Sequence, residues 1–305
     1  MKKLIYTLLI TFTAVSGWSQ SEDIFTFNLF NQLNFNPAYA GAKEVLDAGA
    51  IYRNQWWSGV EGAPRDINLW GHMPFAGRRN GLGLNIISDN IGMDNIFKLG
   101  VDYAYRILLP NRKVLAFGLG AQFETARTNW AETNGSVQGG DSQIGTTDSR
   151  NSVFNIGPGI FYKTQKFYLG FSVPKLLANS LYDNKDEFNG SVNTYFIQGG
   201  LSMPISHNVE FLPNAQIRIN PNSPFDFDLN ANVMFNDALM VGLMYRYEDS
   251  LDGLVVYQFT NGLRLGVAVD FTASELSKAT TGSYEIMVGY TFPCEDCKIV
   301  NLRYF

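Results

Sequence analysis

The chain has 305 residues, of which 46% are hydrophobic, 14% aromatic and only 17% charged. The formal net charge is −5 and no basic run follows the first three residues, which argues against a nucleic-acid partner. Two His and two Cys leave little material for a His-based catalytic site or a dedicated zinc site, so we expect neither an enzyme nor a bound cofactor.

Residues 1–19 have the features of a secretory signal peptide. Two lysines precede an apolar stretch at positions 4–15, which is too short to cross a bilayer as a helix. Gly17 and Ser19 supply the small residues expected before a cleavage position. An uncleaved anchor is the alternative. No later stretch holds 18 consecutive apolar residues, so we expect an exported chain that is secreted, periplasmic or an outer-membrane barrel.

Residues 20–42 do not alternate cleanly and are predicted to form a lead-in or plug segment. Apolar residues at 25, 29 and 33 would share one face of a short helix that ends before Pro37. A segment so rich in aromatic residues needs burial, and the interior of a wide barrel offers it. We therefore expect this segment to plug or line the barrel, with a simple periplasmic lead-in as the alternative.

From Val45 onward, apolar residues recur at every second position, which is typical of strands with one apolar face. Reading all such runs predicts about fourteen strands, most of them long enough to cross a bilayer when tilted. They lie near 45–57, 65–73, 80–89, 95–108, 113–127, 152–163, 167–175, 193–204, 208–219, 225–235, 239–248, 253–260, 263–272 and 283–292.

The predicted connections are of two kinds. Two are long polar loops, at 128–151 and 176–192. Short turns on one rim and long loops on the other are typical of an outer-membrane barrel, and an even strand number places both chain ends at the periplasmic rim. The tight turns lie at Leu109–Arg112, Thr164–Lys166, Ile205–His207, Asn236–Asp237 and Asn261–Gly262.

Alternation alone does not tell which face of the sheet meets the lumen. Fourteen strands would enclose an interior too wide for the apolar side chains to fill. We therefore expect the apolar set to face lipid, in an all-β transmembrane antiparallel barrel over residues 43–292 that lies in the cell outer membrane. A soluble β-sandwich or multi-sheet protein is the alternative.

This orientation would point the charged positions of the strands into the lumen. Both signs are present in similar number, whereas a strongly selective pore would carry one excess sign at a constriction. We interpret the set as ion pairs that neutralise each other and brace the wall, in preference to a conduction site. It comprises Arg53, Lys98, Asp102, Arg106, Glu124, Arg218, Asp226, Asp228, Arg246, Glu248, Arg264, Asp270 and Glu285.

Residues 293–305 follow the last strand and are predicted to form a periplasmic tail. Cys294 and Cys297 form a Cys-x-x-Cys pair there, for which a disulfide is the default in an exported protein. A redox role would need a thioredoxin-like βαβ context, and a zinc site would need two further ligands, and the surrounding sequence offers neither.

Four motifs resemble one family of Bacteroidetes outer-membrane proteins, the PorP/SprF family, and the resemblance covers nearly the whole mature chain. The first motif is the most specific, and the closing residues 300–305 are similar to tails found in the family. The thirteen residues after Phe292 are a departure, because barrels usually end on the last strand's aromatic residue. The motifs are Asn36-Pro37-Ala38-Tyr39-Ala40-Gly41, Tyr52-Arg53-Asn54-Gln55-Trp56, Tyr103-Ala104-Tyr105-Arg106 and Ser283-Tyr284-Glu285-Ile286-Met287.

The resemblance implies a barrel of the type IX secretion system, which exports adhesins and enzymes to the cell surface. The implied partners are other components of that system, outer-membrane lipid and a secreted surface protein with a type IX C-terminal domain, such as a gliding adhesin whose domain is of type B. We expect a non-enzymatic component that assists export or surface anchoring of such a partner through its long loops or lumen. A passive or ligand-specific transport channel is the alternative.

Overall fold

The computed structural model describes residues 24–57, 62–129, 148–177, 193–221, 225–274, 277, 280 and 282–292. Two 3-10 helices of three residues each, Gln32–Asn34 and Pro37–Tyr39, precede the first strand. In the described ranges no helix is long and apolar enough to cross a membrane.

Strands make up nearly all the regular structure. They are β1 (Asp47–Asn54), β2 (Arg65–Phe75), β3 (Asn80–Ile91), β4 (Asp94–Leu109), β5 (Lys113–Thr128), β6 (Ser149–Lys163), β7 (Phe167–Ser172), β8 (Tyr195–Leu201), β9 (Met203–Ser206), β10 (Val209–Ile219), β11 (Asp226–Phe235), β12 (Leu239–Arg246), β13 (Ser250–Gln258), β14 (Leu263–Thr272) and β15 (Gly282–Thr291).

The strands close into one antiparallel barrel. Neighbours in sequence pair with each other, and β15 returns to pair with β1, where Glu285 lies opposite Arg53. β8 and β9 are separated only by Ser202 and both pair with β10, so they form two pieces of one irregular strand. The wall formed by the described residues is therefore 14 strands around, with one extra segment, which confirms the predicted fold class.

The two faces of the wall have opposite polarity. In β12, Leu243 and its alternate neighbours are exposed, whereas Met244 and Arg246 are buried. Leu243 is 60% exposed, while Arg264 and Glu285 are 0% exposed. Large apolar side chains cover the outside and charged side chains lie inside, so the outer surface is compatible with the hydrocarbon of a bilayer. Closure of the barrel also pairs the backbone N–H and C=O groups, which lipid cannot hydrogen-bond. The predicted inside-out orientation is confirmed.

The two rims of the barrel differ. The rim near Asp47 carries six tight turns in the described chain, at 76–79, 110–112, 164–166, 207–208, 236–238 and 259–262. The opposite rim carries the two longest connections, most of whose residues lie outside the described ranges. Since outer-membrane barrels have short periplasmic turns and longer external loops, the rim with the tight turns faces the periplasm.

Residues 24–46, which we name the inner segment, lie against the inner face of the wall. Phe25, Phe27, Phe30, Leu33 and Tyr39 are each at most 3% exposed. They belong to one apolar cluster with inward-facing wall residues that include Ile51, Trp70, Met240 and Met287. These aromatic and aliphatic side chains of the inner segment are thus buried against the inner face of the wall.

The helix predicted over 25–33 is not formed, and this expectation was wrong. Residues 26–30 form turns, and the first 3-10 helix begins only at Gln32. Within this turn Phe30 N donates to the Phe27 carbonyl at 3.0 Å, and the backbone N–H groups of Thr26 and Phe27 donate to the Glu285 carboxylate on the wall. The asparagines of this stretch also favour side-chain hydrogen bonds over helix.

Candidate functional site

The first part of the inner segment is held by carboxylates on three neighbouring strands. Thr26 N donates to Glu285 Oε1 at 2.7 Å, and Phe27 N donates to Glu285 Oε2 at 3.2 Å. The Thr26 hydroxyl donates to Asp270 Oδ1 at 2.8 Å and contacts Asp252 Oδ2 at 3.4 Å. One turn of the inner segment therefore bridges β13, β14 and β15 toward their extracellular ends.

These carboxylates belong to a belt of buried ion pairs that begins on β10. Arg218 is bidentate to Asp228, with N–O distances of 2.6 and 2.9 Å, and also pairs with Asp226 at 2.7 Å. Arg246 continues the belt, at 3.4 Å from Asp228 and 3.7 Å from Asp252. Because the two arginines are at most 4% exposed, these charges depend on each other for stabilisation.

Arg53 on β1 completes the belt. Its guanidinium pairs with Asp270 at 2.6 Å and with Glu285, its cross-strand neighbour. Asp252 and Asp270 lie directly opposite each other on β13 and β14. Two facing carboxylates repel each other, so the adjacent arginines and the Thr26 hydroxyl offset a repulsion that a buried site would otherwise amplify.

Amide side chains make the next contacts along the inner segment. Asn31 Nδ2 donates to Asn68 Oδ1 on β2, and Asn85 Nδ2 on β3 donates to Asn34 Oδ1 at 2.8 Å. Asn68 Nδ2 also donates to Asn85 Oδ1 at 2.8 Å. The residues from 24 to 42 include no charged side chain, so this stretch forms no ion pair and is held by hydrogen bonds and apolar packing.

The family motif starts with an asparagine that caps the second 3-10 helix. Asn36 Oδ1 accepts from Ala38 N at 3.0 Å, and Asn36 Nδ2 donates to the Ile160 carbonyl on β6 at 3.1 Å. Pro37 occupies the first helical position, where its fixed φ is favourable and its missing N–H is harmless. Asn36 thus sets the local turn and attaches it to the wall.

The second half of the motif packs on aromatic rings. The Tyr39 ring makes T-shaped contacts with His72 and Phe161, with ring centroids 5.1 Å and 5.4 Å apart. Burial raises the pKa of Tyr39 well above its usual range. Gly41 N donates to His72 Nδ1 at 3.2 Å, and Gly41 has a φ of 73°, which a glycine adopts without strain.

Three glycines of the wall lie directly beneath the family motif, residues 36–41. A methyl group at Gly81 would overlap the carbonyl of Ala40, and one at Gly118 would overlap the backbone of Ala38. A methyl group at Gly159 would overlap the Asn36 side chain. Because β3, β5 and β6 each place a glycine here, the motif backbone can lie directly on the sheet.

A second buried cluster fixes the end of the inner segment. Asp47, the first residue of β1, accepts from Arg264 Nη2 and from the Thr291 hydroxyl, each at 2.6 Å. Lys43 Nζ lies 3.2 Å from the same carboxylate. Burial, helped by the nearby Arg264 charge, lowers the pKa of Lys43 to about 8.

A third cluster lies beside it at the periplasmic rim. Glu44 lies within 3.4 Å of Arg78, 3.5 Å of Arg106 and 3.8 Å of Lys163. The Lys163 ammonium also donates to the carbonyl of Ala42. Strands β4 and β6 and the turn after β2 are thereby joined to the inner segment.

The lumen on the β3–β6 side keeps a small cavity of about 40 Å³. Its lining includes Asn34, Lys98 and Asp102. Lys98 pairs with Glu124 at 3.8 Å, and Lys175 approaches the same carboxylate at 3.5 Å. Asp102 is 7% exposed and takes part in no ion pair within the described ranges.

The structure places most of the sequence-predicted charges on the inner face, buried in the clusters above. Glu248 differs, and its assignment to the lumen was wrong. The chain leaves the wall at Arg246 to form a turn, and Glu248 lies exposed in that turn with a φ of 55°. The Cys294–Cys297 pair lies outside the described residues.

Sequence reasoning missed several members of these clusters. Asp47 and Asp252 have the same parity as other inward positions on β1 and β13, so alternation could have found them. Lys43 and Glu44 lie in the non-alternating segment, where no periodic signal exists. No three His, Cys, Asp or Glu side chains converge to hold a metal ion in the part of the chain that the structure describes.

Solved structures with similar backbones are membrane barrels. The Ralstonia pickettii toluene transporter TbuX has 12% identity and a TM-score of 0.49, with 92% of this chain and 97% of that chain covered. A Pseudomonas aeruginosa FadL homologue has 10% identity and a TM-score of 0.46, with 87% and 94% covered. The NanC porin has 11% identity and a TM-score of 0.43, with 82% and 100% covered. The strand pairing of this chain by itself closes the sheet into a barrel.

The sequence itself matches a family model. Among curated proteins no relative was found. The model of the type IX secretion system membrane protein PorP/SprF matches residues 18–290, a range that holds the inner segment and nearly all of the barrel wall. This family consists of secretion-system membrane proteins, not enzymes, and its barrels belong to the outer membrane. The chain therefore belongs to the PorP/SprF family of type IX secretion system outer-membrane proteins.

Proposed function

We propose that this barrel assists the export or surface anchoring of a secreted partner that carries a type IX C-terminal domain. Membership of a secretion-system family supports a role with secreted cargo. The proposal assigns the binding of that cargo to the external loops and to the extracellular end of the lumen. The inner segment keeps the lumen closed to solutes while cargo is held.

The observation that carries this proposal is the set of contacts between the inner segment and the inner face of the wall. The inner segment forms hydrogen bonds with well-separated strands of the wall, through Thr26 to β15, Asn31 to β2 and Asn36 to β6. On another side, Ser172 on β7 donates to the Phe35 carbonyl at 2.7 Å. A passive channel needs a continuous water path, which a segment packed across the lumen opposes.

Cell-surface proteomics tests the cargo role. Cells lacking this protein should lose at least one protein with a type IX C-terminal domain from the protease-accessible surface, and the wild-type chain should restore it. A variant with residues 130–147 replaced by a short Gly-Ser linker should fold but fail to restore display. Because a variant with only Leu251→Ala keeps the loop and the lumen, it serves as the control. An unchanged set of surface proteins in the deletion strain would contradict the proposal.

Planar-bilayer recording tests the closed lumen. Purified full-length protein should show no steady ion conductance. Sustained open-channel currents from the wild-type chain would instead identify it as a passive or ligand-specific transport channel, and would overturn the proposal.

A further inference from the structure

The periplasmic rim carries a basic patch on one side of the barrel. Three successive turns, those after β2, β4 and β6, hold its members, which we name the basic turn patch. The three turns span five strand spacings, roughly 24 Å of rim. The patch comprises Arg78, Arg79, Arg112, Lys113 and Lys166, of which Arg78 is half-buried and the others are exposed.

Among the described residues, few carboxylates lie close enough to neutralise this patch. Within the described ranges, the one carboxylate that pairs with it is Glu44, which lies 3.4 Å from Arg78. Arg79, Arg112 and Lys166 form no ion pair among the described residues. Because the whole chain carries a net charge of −5, a local excess of cations this large runs against its average composition.

The other described turns of the same rim carry no such patch. The turns after β9, β11 and β13 present His207, Asn236, Asp237 and Asn261, and no Lys or Arg. Lipid surrounds a barrel on every side, so contact with anionic lipid headgroups would favour cations all around the rim. A charge confined to one sector instead favours a partner that approaches from one side, which is the geometry of a protein contact.

The C-terminal tail, residues 293–305, does not carry enough negative charge to neutralise the basic turn patch. Residues 293–305 hold Glu295 and Asp296 but also Lys298 and Arg303, so their side chains sum to no net charge. An occupant that neutralises the patch must be more acidic than this. From these observations we propose that the basic turn patch is a docking site for an acidic surface of a periplasmic protein. The proposal does not depend on the cargo role suggested for the opposite rim.

Binding of an acidic polymer gives the first test. Full-length protein in phosphatidylcholine nanodiscs should bind fluorescein-labelled poly-L-glutamate, as measured by anisotropy, with an affinity that falls as salt rises. Combining Arg79→Glu, Arg112→Glu and Lys166→Glu should weaken binding by about tenfold or more. The matched control combines Arg65→Glu, Arg127→Glu and Arg150→Glu, which reverses the same charge at exposed positions of the other rim and should leave binding unchanged.

Three results in nanodiscs would overturn the proposal. They are absence of binding, equal weakening by the two triple variants, and tighter binding after removal of residues 293–305. The last result would mean that the tail already occupies the patch.

Photo-crosslinking in living cells tests whether the natural occupant is protein or lipid. A benzophenone amino acid at position 112 should form an adduct with an acidic protein, and one at position 236, in a turn of the other sector, should not. The adduct should disappear when Arg79→Glu and Lys166→Glu are added. Adducts with phospholipid alone, or equal protein adducts at both positions, would show that the patch is not a protein docking site.

Discussion

The Asp47 carboxylate connects three parts of the molecule: the inner segment through Lys43, β14 through Arg264, and β15 through Thr291. We expect Asp47→Asn to lower the free energy of unfolding by about 3–5 kcal/mol, because it leaves a buried guanidinium and a buried ammonium without their counter-charge. Urea unfolding of the protein in lipid vesicles measures this change.

The exposed pair Arg127–Asp148 gives the matched control for that substitution. Its side chains are 61% and 38% exposed and 3.0 Å apart. Arg127→Gln should change stability by no more than about 1 kcal/mol, since solvent already screens both charges. If the two substitutions had equal effects, Asp47 would not be the anchor that its contacts indicate.

Gly118 on β5 contacts the backbone of the family motif, so a methyl group at this position would overlap the backbone of Ala38. Gly118→Ala should weaken docking of the inner segment by about 1–3 kcal/mol, the usual cost of overpacking. Faster cleavage of the segment by added protease would report this. Gly253→Ala is the control, because a Cβ there would meet nothing within 4 Å. Equal protection in both variants would count against close packing at Gly118.

At the scale of elements, the wall is held together by hydrogen bonds that do not involve the inner segment. The wall closes by its own hydrogen bonds, from β1 to β15, without help from the segment. Deleting residues 25–41 should therefore leave a folded barrel but open a lumen lined by charged and amide side chains. Planar-bilayer recording should show new, steady conductance.

The control for this deletion replaces residues 130–147, a stretch of similar length in the connection between β5 and β6, and should show no conductance. A deletion variant that folds yet passes no ions would mean that something other than the inner segment closes the barrel.

At the scale of the whole molecule, stability depends on an apolar outer surface that matches the bilayer in depth. Leu243, in the middle of β12, faces outward. Leu243→Arg should cost about 2–4 kcal/mol in lipid vesicles, whereas Leu251→Arg, near the extracellular end of β13, should cost about 0–1 kcal/mol. Equal costs for the two variants in the same unfolding assay would contradict the proposed position of the barrel in the membrane.

Sequence reasoning reached the wall more easily than the lumen. The number of strands and the side on which each residue lies follow from the local alternation of apolar and polar residues. The runs at 95–108 and 263–272 therefore predicted the bounds of β4 and β14 to within one residue. The inner segment has no such period. Its helical spacing was misleading because its asparagine side chains hydrogen-bond to the wall, and asparagine favours such bonds over helix. The prediction that Glu248 lies in the lumen was wrong for a related reason, because alternation does not indicate where a strand ends.

The sequence by itself determined that the chain is an inside-out barrel, because the alternation of apolar and polar residues is a property of each strand alone. Only the tertiary structure decided which charges neutralise each other and where the inner segment lies. Arg53 and Glu285 are 232 positions apart, and Arg264 and Asp47 are 217 apart. These pairs meet because the sheet closes on itself, and closure is a property of the whole chain that no local pattern contains.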